Sequence, residues 1–375
     1  MADSTDTTPD TTAGDATDTA APDAGAAPET LDAGNTYRQP TYALTINGRD
    51  ITPRLNGRLI RLSLSETRGE EADQLEVELS DHDGALPIPP KGAKVQLRMG
   101  YVGLPMFDKG EFVVDEAGHR GTPDVLSFRA RSANLAQGLR QRTSRSWHAT
   151  TLGQVVQDLA AANGLQAKVG EGLAAKPVQH IDQTNESPVH FLTRIGRQYD
   201  AVATVKKGML LFLPIGGATT ASGKPMPAVL LTRRAGDQHD YSSAERDAYT
   251  GVRAEWHDAR ANTRKAAIAG TETNLKTLKS TYATEADALA AAQAEMGRIV
   301  RGKATLTYTL ATGQPALAPQ TPVTVQGFKP EIDGTAWLVK KVEHEMGDGG
   351  YTTRLEMERG GGDDDDDKPG KDNDD

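Results

Sequence analysis

Short stretches of alternating apolar and polar residues fill much of the first third of the chain. In residues 75–79 Leu and Val alternate with Glu, and similar runs lie at 95–101 and 126–130. A period of two is typical of a strand with one buried face. Asn47-Gly48 favours the positive φ values of a tight hairpin turn. These patterns predict a β-barrel or sandwich over residues 37–147.

The middle of the chain changes to a helical period. Apolar residues recur at spacings of three and four in residues 152–159, directly after Thr150 and Thr151, either of which can cap the helix. Ser187-Pro188 supplies a capping residue and a first-turn proline for a second helix. A hairpin pattern follows at residues 201–213. We expect a small α+β domain at residues 148–215.

Strand patterns return after residue 216. They lie at residues 229–232, 251–257, 304–310, 322–328, 336–342 and 351–357. One amphipathic segment interrupts them, and Thr284 is placed to cap it as a helix over residues 285–300. We expect a second β-barrel domain at 216–358 with this helix inserted. The predicted fold class is therefore α+β, mainly β, with two tube-like barrels around a small α+β domain.

The two β-rich segments share a short pattern. Phe112, Val114 and His119 recur 225 residues later as Trp337, Val339 and His344. Each set precedes another alternating strand. We interpret the six residues as the structural core of a repeated barrel. Within it, the two histidines are expected to be ordinary polar-face residues at matching strand positions.

The acidity of the chain is concentrated at its ends. The chain has 52 acidic and 42 basic residues; residues 1–36 hold eight of the acids and no base, and residues 361–375 hold eight acids and two lysines. The body between them has 36 acids and 40 bases, a net charge of +4. The end segments have too few large apolar residues to offset the entropy cost of folding. We therefore predict disordered acidic tails at 1–36 and 359–375.

The sequence offers no complete catalytic, metal or nucleotide motif. There is no cysteine, which excludes disulfides and thiolate-bound metals. Gly217–Lys224 resembles a phosphate-binding loop, but it has five residues between its glycines and a proline after its lysine. Asp81 and Asp83 resemble the start of a calcium loop, but position twelve is Gly92, so a β-turn is favoured. We predict no catalytic residue, no metal and no cofactor.

Nucleic-acid binding and membrane insertion are also not expected. The one basic concentration, Arg129–Arg145, lacks interleaved aromatic residues apart from the nearby Trp147, and a solvated or inter-subunit face is favoured. No apolar run approaches the ~18 residues that cross a bilayer. The N-terminus has neither the basic nor the apolar part of a secretory signal peptide, so none is expected.

Several loose motifs follow one another through the body in a definite order. They are residues 75–84, 89–95, 100–101, 110–116, 144–156, 286–292, 305–310, 327–328, 337, 344 and 350–356. Over Tyr37 to Glu358, this order and spacing resemble the phage late control D family. Members of that family are baseplate hub proteins of contractile tails, related to the hub part of type VI secretion spikes.

The resemblance implies a structural role and no enzymatic activity. It implies a homotrimer that adapts the sixfold tail tube protein to the threefold central spike protein, with two barrels in each subunit. Contacts with the tape-measure and baseplate wedge proteins are compatible with it. The expected location is the baseplate of a virion tail or tail-like particle, after synthesis in the cytoplasm of the bacterial host.

Two other classes remain open at this point. A cell-wall-degrading or carbohydrate-binding tail component would need a carboxylate pair or metal triad in a cleft. A secreted effector or adhesin is the third interpretation. Aromatic residues make up only 5% of the chain, and no carboxylate pair lies beside an aromatic cluster of the kind a sugar cleft needs. The hub interpretation is therefore preferred.

Overall fold

The computed structural model describes residues 29–31, 38–69, 72–132, 137–206, 208–217, 226–244, 249–258 and 260–360. The phosphate-loop-like segment lies mostly outside them, as do most of residues 1–36 and all of 361–375. Strand β1 is Glu29–Leu31. We refer to residues 38–132, 137–217 and 226–360 as the first, middle and last regions.

The first region is a β-sheet with one short helix. Its elements are β2 (Pro40–Ile46), β3 (Arg49–Asp50), α1 (Thr52–Leu55), β4 (Leu59–Thr67), β5 (Gln74–Ser80), β6 (Lys94–Tyr101), β7 (Phe107–Arg120) and β8 (Val125–Ser132). The predicted hairpin joins β2 and β3, and Asn47 and Gly48 have φ of 49° and 78°. The strand order is β4-β5-β8-β7-β6-β2-β3.

The sheet of the first region curls around one apolar core. Leu64 on β4, at one end of the strand order, and Leu44 on β2, next to the other end, are both fully buried in the same cluster. Among the described residues, β2 and β4 are not paired with each other, so the hydrogen bonding does not close a barrel. The expected closed barrel is thus replaced here by a curled open sheet.

The middle region combines helices with small sheets. Its elements are α2 (Gln137–Arg140), β9 (Thr143–Thr151), α3 (Leu152–Ala162), β10 (Gln166–Val169), β11 (Pro177–Glu186), α4 (Pro188–Tyr199), β12 (Ala201–Lys206) and β13 (Met209–Pro214). The Thr151 and Ser187 side chains accept hydrogen bonds from the first turns of α3 and α4, which confirms both predicted caps. The hydrophobic faces of the helices pack on β10-β13-β12.

The boundary expected at Trp147 is wrong. Trp147 lies inside β9, which pairs with β11, and its ring stacks on Phe191 of α4 at a centroid distance of 5.2 Å. Residues 143–151 are mostly polar, so their sequence gave no indication that they leave the first sheet. The strand therefore belongs to the core of the middle region.

The last region contains a second sheet and an insertion. Its elements are β14 (Val229–Thr232), a 3₁₀ turn (Arg233–Ala235), β15 (Gly236–Ser243), β16 (Gly251–Asp258), β17 (Thr263–Gly270), β18 (Leu275–Tyr282), α5 (Glu285–Gly302), β19 (Ala304–Leu310), β20 (Pro322–Gln326), α6 (Pro330–Asp333), β21 (Trp337–Gly347) and β22 (Gly350–Arg359). The sheet runs β15-β19-β22-β21-β20-β14-β1. It surrounds its own core without closing among the described residues.

The insertion, residues 251–302, carries a small core of its own. Helix α5 is capped by Thr284 as predicted and packs on the sheet β17-β16-β18. The contact is made largely by alanines, such as Ala254 and Ala288, which allow helix and sheet to approach closely. Strands β17 and β18 were not predicted because most apolar residues of β17 are alanines and those of β18 do not alternate regularly with polar residues.

Two predictions about the tails require correction. Residues 29–31 lie in the segment predicted to be disordered, yet they form β1, which pairs in parallel with β14. At the other end, β22 runs to Arg359, and the Gly360 amide donates a hydrogen bond to the Ala336 carbonyl. A free edge on β14 explains the first difference, because it offers backbone partners to any adjacent extended segment.

Candidate functional site

The two curled sheets meet along a seam between β4 and β21. The strands pair antiparallel from Thr67 opposite Lys341 to Arg61 opposite Gly347. This seam joins the first and last regions into one 14-stranded sheet. The seam is therefore where the backbone hydrogen bonding of the two regions becomes continuous.

Three ionisable side chains are buried together at the seam. Lys109 Nζ lies 2.6 Å from Glu66 Oε2 and 2.9 Å from His344 Nε2. The Lys109, Glu66 and His344 side chains are 5%, 6% and 0% exposed. Lys109 also reaches the Leu317 carbonyl at 3.3 Å. One ammonium group thus contacts β4 of the first region as well as β21 and a loop of the last region.

The hydrogen bonds around His344 fit a neutral ring. Its Nε2 accepts from the Lys109 ammonium, so the ring proton lies on Nδ1. Thr353 Oγ1 and Tyr351 Oη each lie 3.0 Å from Nδ1. The Thr353 hydroxyl also accepts from the Gln314 amide at 2.9 Å. The imidazole therefore links Lys109 to two side chains of β22.

The pKa shifts agree with this assignment. Burial alone would raise the pKa of Glu66, but the Lys109 charge opposes it, and that pKa lies well below its usual value. Burial, followed by the Lys109 charge, lowers the pKa of His344. The cluster therefore consists of a carboxylate, an ammonium and a neutral imidazole.

A second polar network ties the seam to the middle region and the insertion. Glu358 Oε1 accepts from Arg68 at 2.6 Å and from Arg301 at 3.0 Å. Arg301 also donates to Asp200, the left-handed residue that ends α4, at 2.6 Å. These side chains bridge β22, α5, the residue after β4 and the residue after α4. The charges are mutually satisfied, so the network fixes how the parts pack.

The predicted core residues lie in two separate cores. Phe112 and Val114 are buried in the first, and Trp337 and Val339 are buried in the last. The two histidines differ. His344 is completely buried, so its interpretation as a polar-face residue is wrong. His119 has a 37% exposed side chain 3.4 Å from Asp81, so it lies outside the core.

The environments of Phe112 and Trp337 share several details of strand pairing. Val95 is opposite Phe112, and Val323 is opposite Trp337. A bulge follows each aromatic residue at the same distance, at residue 115 in the β7–β8 pair and at residue 340 in the β21–β22 pair. The amide and carbonyl of Val114 and of Val339 bond equivalent residues of the preceding loop.

That loop contains an unexpected conformational match. Gly92 donates to the Val114 carbonyl and has φ of 85°, while Gln320 donates to the Val339 carbonyl and has φ of 75°. A positive φ is unusual for a residue with a side chain. Because glutamine gives no sequence signal for this conformation, the correspondence could not be found from the sequence.

Ligand-site features are sparse in the described residues. A groove of about 830 Å³ beside the seam is lined by charged residues, including Arg98 and Lys206, together with Phe107. No three His, Asp or Glu side chains converge as a metal site in the described part of the chain. The aspartates at 81 and 83 instead accept backbone amides of their own turn, as expected. None of the described helices is long and apolar enough to cross a membrane.

Comparison with solved structures identifies the fold. The chain superimposes on a 43 kDa tail protein of prophage MuSo2 from Shewanella oneidensis with a TM-score of 0.65, at 15% identity, covering 86% of this chain and 98% of the other. It also resembles the Escherichia coli c3393 protein, a type VI secretion component described as similar to tail proteins of bacteriophage T4. In that match the TM-score is 0.54 at 13% identity, over 84% of this chain and 76% of the other. The fold is that of phage tail proteins.

The family follows from sequence. Residues 61–350 match the family described as phage tail baseplate hub (GPD). The chain is 42% identical over 370 residues to a probable baseplate hub protein of Escherichia phage 186, covering 88% of this chain and 95% of that protein. This chain belongs to the phage tail baseplate hub family, which confirms the resemblance drawn from its motifs.

Proposed function

We propose that this protein is the structural hub of a contractile tail, a homotrimeric adaptor between a sixfold tail tube and a threefold spike. The role is mechanical, without a catalytic step. The first and last regions act as two tube-like domains, and the middle region is a small α+β domain held beside them. Family membership supports the hub role; the trimer and its partners are our inference.

The observation that carries the proposal is the agreement in strand order between the two regions. The first sheet runs β4-β5-β8-β7-β6-β2, and the last runs β15-β19-β22-β21-β20-β14. Numbered by appearance among these six strands of each region, with β3 and the insertion strands β16–β18 left out, both orders read 2-3-6-5-4-1. One difference is that β2 is antiparallel to β6, whereas β14 is parallel to β20.

Registers across the sheets support the same equivalence. In each sheet, four residues on adjacent strands are successive cross-strand partners. In the first sheet they are Leu64, Leu75, Ala130 and Val114. In the last sheet they are Tyr241, Leu306, Met357 and Val339. Three subunits that each present two such units offer six similar surfaces, which a sixfold tube can meet evenly.

The test is the mass of the assembly. Light scattering of the purified 40.0 kDa chain should give a trimer, alone or after addition of its tube and spike proteins. A monomer in the presence of both partners would refute the adaptor. A cell-wall-degradation assay on the same sample tests for catalysis. Hydrolysis of cell wall by the purified protein would contradict a purely structural role.

A further inference from the structure

Two strand edges remain unpaired at positions that correspond to the seam. On its β6 side, β7 is paired only up to Val113, so residues 116–120 have no strand partner there among the described residues. Strand β15 pairs with β19 on one edge, and no described strand pairs with its other edge. By strand order, β7 corresponds to β21 and β15 to β4, the two strands that form the seam.

We propose that β15 of one subunit pairs with the second half of β7 of a neighbouring subunit, repeating the β4–β21 seam between chains. This inference rests on the proposed trimer and specifies its interface. Three seams within chains and three between chains would then alternate around the ring. The occupant of each free edge is a second copy of this chain.

The register can be carried over directly. Residues of β21 correspond to β7 at an offset of 225, which the two bulges fix. Tyr241 corresponds to Leu64 because successive cross-strand pairs connect Leu64 to Val114 and Tyr241 to Val339, the valine before the bulge in each region. The intrachain pairs His344–Leu64, Glu343–Ser65 and Glu345–Ser63 are then replaced by three interchain pairs. These are His119–Tyr241, Gly118–Ser242 and Arg120–Asp240.

The side chains on these edges are suited to that register. Arg120 is opposite Asp240 in the proposed pairing, and its ion pair with Glu78, among the described residues, is long at 3.8 Å. Its side chain is 68% exposed, so it is free to reorient toward a partner. Opposite charges directly across antiparallel strands stabilise the pair. Gly118 and Ser242, which are opposite each other, are both small, so their side chains do not obstruct the pairing of the two strands.

A disulfide tests the register, because the natural chain has no cysteine to interfere. Two variants are made, one with Gly118→Cys and a small tag and one with Ser242→Cys without a tag. They are mixed, assembled with the tube and spike proteins, and oxidised. Directly opposite residues are close enough for a disulfide, so we expect a covalent heterodimer on a non-reducing gel.

Two further variants serve as controls. The intrachain counterpart, Ser65→Cys with Glu343→Cys in one chain, should form a disulfide within a monomer. Gly118→Cys mixed with Ser243→Cys should form little heterodimer, because successive side chains in a strand point to opposite faces. Equal cross-linking of the two mixtures would refute the register.

A charge exchange provides a second measurement that does not depend on disulfide geometry. Arg120→Asp or Asp240→Arg alone should weaken each interface about two- to fivefold, and the double variant should restore association. Trimers that form without cross-link or charge rescue would overturn the strand pairing while leaving the adaptor intact. Absence of any trimer would overturn the adaptor itself.

Discussion

Replacing Lys109 with methionine tests whether the buried charges stabilise the seam. The substitution keeps most of the apolar volume of the side chain but removes the ammonium group that contacts Glu66, His344 and the Leu317 carbonyl. Glu66 is then left as a buried carboxylate without its strongest partner. Breaking a buried pair in this way typically costs about 3–5 kcal/mol. We expect a loss of this size in the free energy of unfolding.

The assay is urea denaturation at pH 7 and 25 °C, followed by circular dichroism. The matched second variant combines Lys109→Met with Glu66→Gln, which removes both charges and leaves an amide near His344 Nε2. Because the unpaired charge is gone, the double variant should recover at least about 2 kcal/mol of the loss. Recovery by the second substitution is a result that a simple packing defect would not produce.

The pH dependence adds a further check. In Lys109→Met, burial is no longer opposed by the ammonium and raises the pKa of Glu66 above its unfolded value. A raised carboxyl pKa favours the folded state in acid and loses this contribution as pH rises through the folded pKa. The deficit relative to wild type should therefore be larger at pH 8 than at pH 5. A cost below about 1 kcal/mol, or a double variant no better than the single, would refute the role of the cluster.

Three other predictions follow from the same structure. Phe112→Ala and Trp337→Ala should each cost about 3–5 kcal/mol as buried aromatics, while Phe107→Ala, at a site 43% exposed, should change the unfolding free energy little. Removing residues 1–28 and 361–375 should shift stability by no more than about 0.5 kcal/mol, whereas removing 1–36 also deletes β1 and should speed amide exchange in β14. The pKa of His344 is lower in the folded chain than in the unfolded chain, so the unfolded chain takes up this proton at a higher pH, and wild-type stability should fall as pH drops below about 6.5. In a pH series of thermal midpoints, His344→Gln should flatten that fall. The control His119→Gln, at an exposed histidine, should leave it unchanged.

Local features of the fold were predictable because they depend on neighbours in sequence. The Asn47-Gly48 turn and the caps at Thr151, Ser187 and Thr284 all lie where the sequence indicates. Each rests on backbone geometry that a few adjacent residues determine. The same holds for the alternating strands of the first region.

The seam and its charges could not be predicted in this way. His344 is buried because Lys109, 235 residues earlier, and Glu66 meet it across the β4–β21 pairing. Alternation shows which face of a strand is buried, but not which distant strand lies beside it. His119 has the same spacing from its aromatic residue, yet it lies against an exposed part of the sheet. The repeated sequence pattern therefore predicted that His119 and His344 occupy equivalent strand positions, but it did not predict that one is exposed and the other buried.

The proposed ring places buried charges only where the chain itself brings them together. At the intrachain seam Glu66 and His344 are buried and both contact Lys109, and folding brings these groups together within one chain. The corresponding interchain positions are Ser243 and His119, both exposed in the free subunit. A carboxylate at position 243, the counterpart of Glu66, would have to be desolvated at every assembly event, which is costly for a charge. Polar and glycine residues with one exposed charge pair keep the free edges from aggregating before assembly and still allow strand pairing. The difference between the two seams is thus what a ring built from separately folded subunits requires.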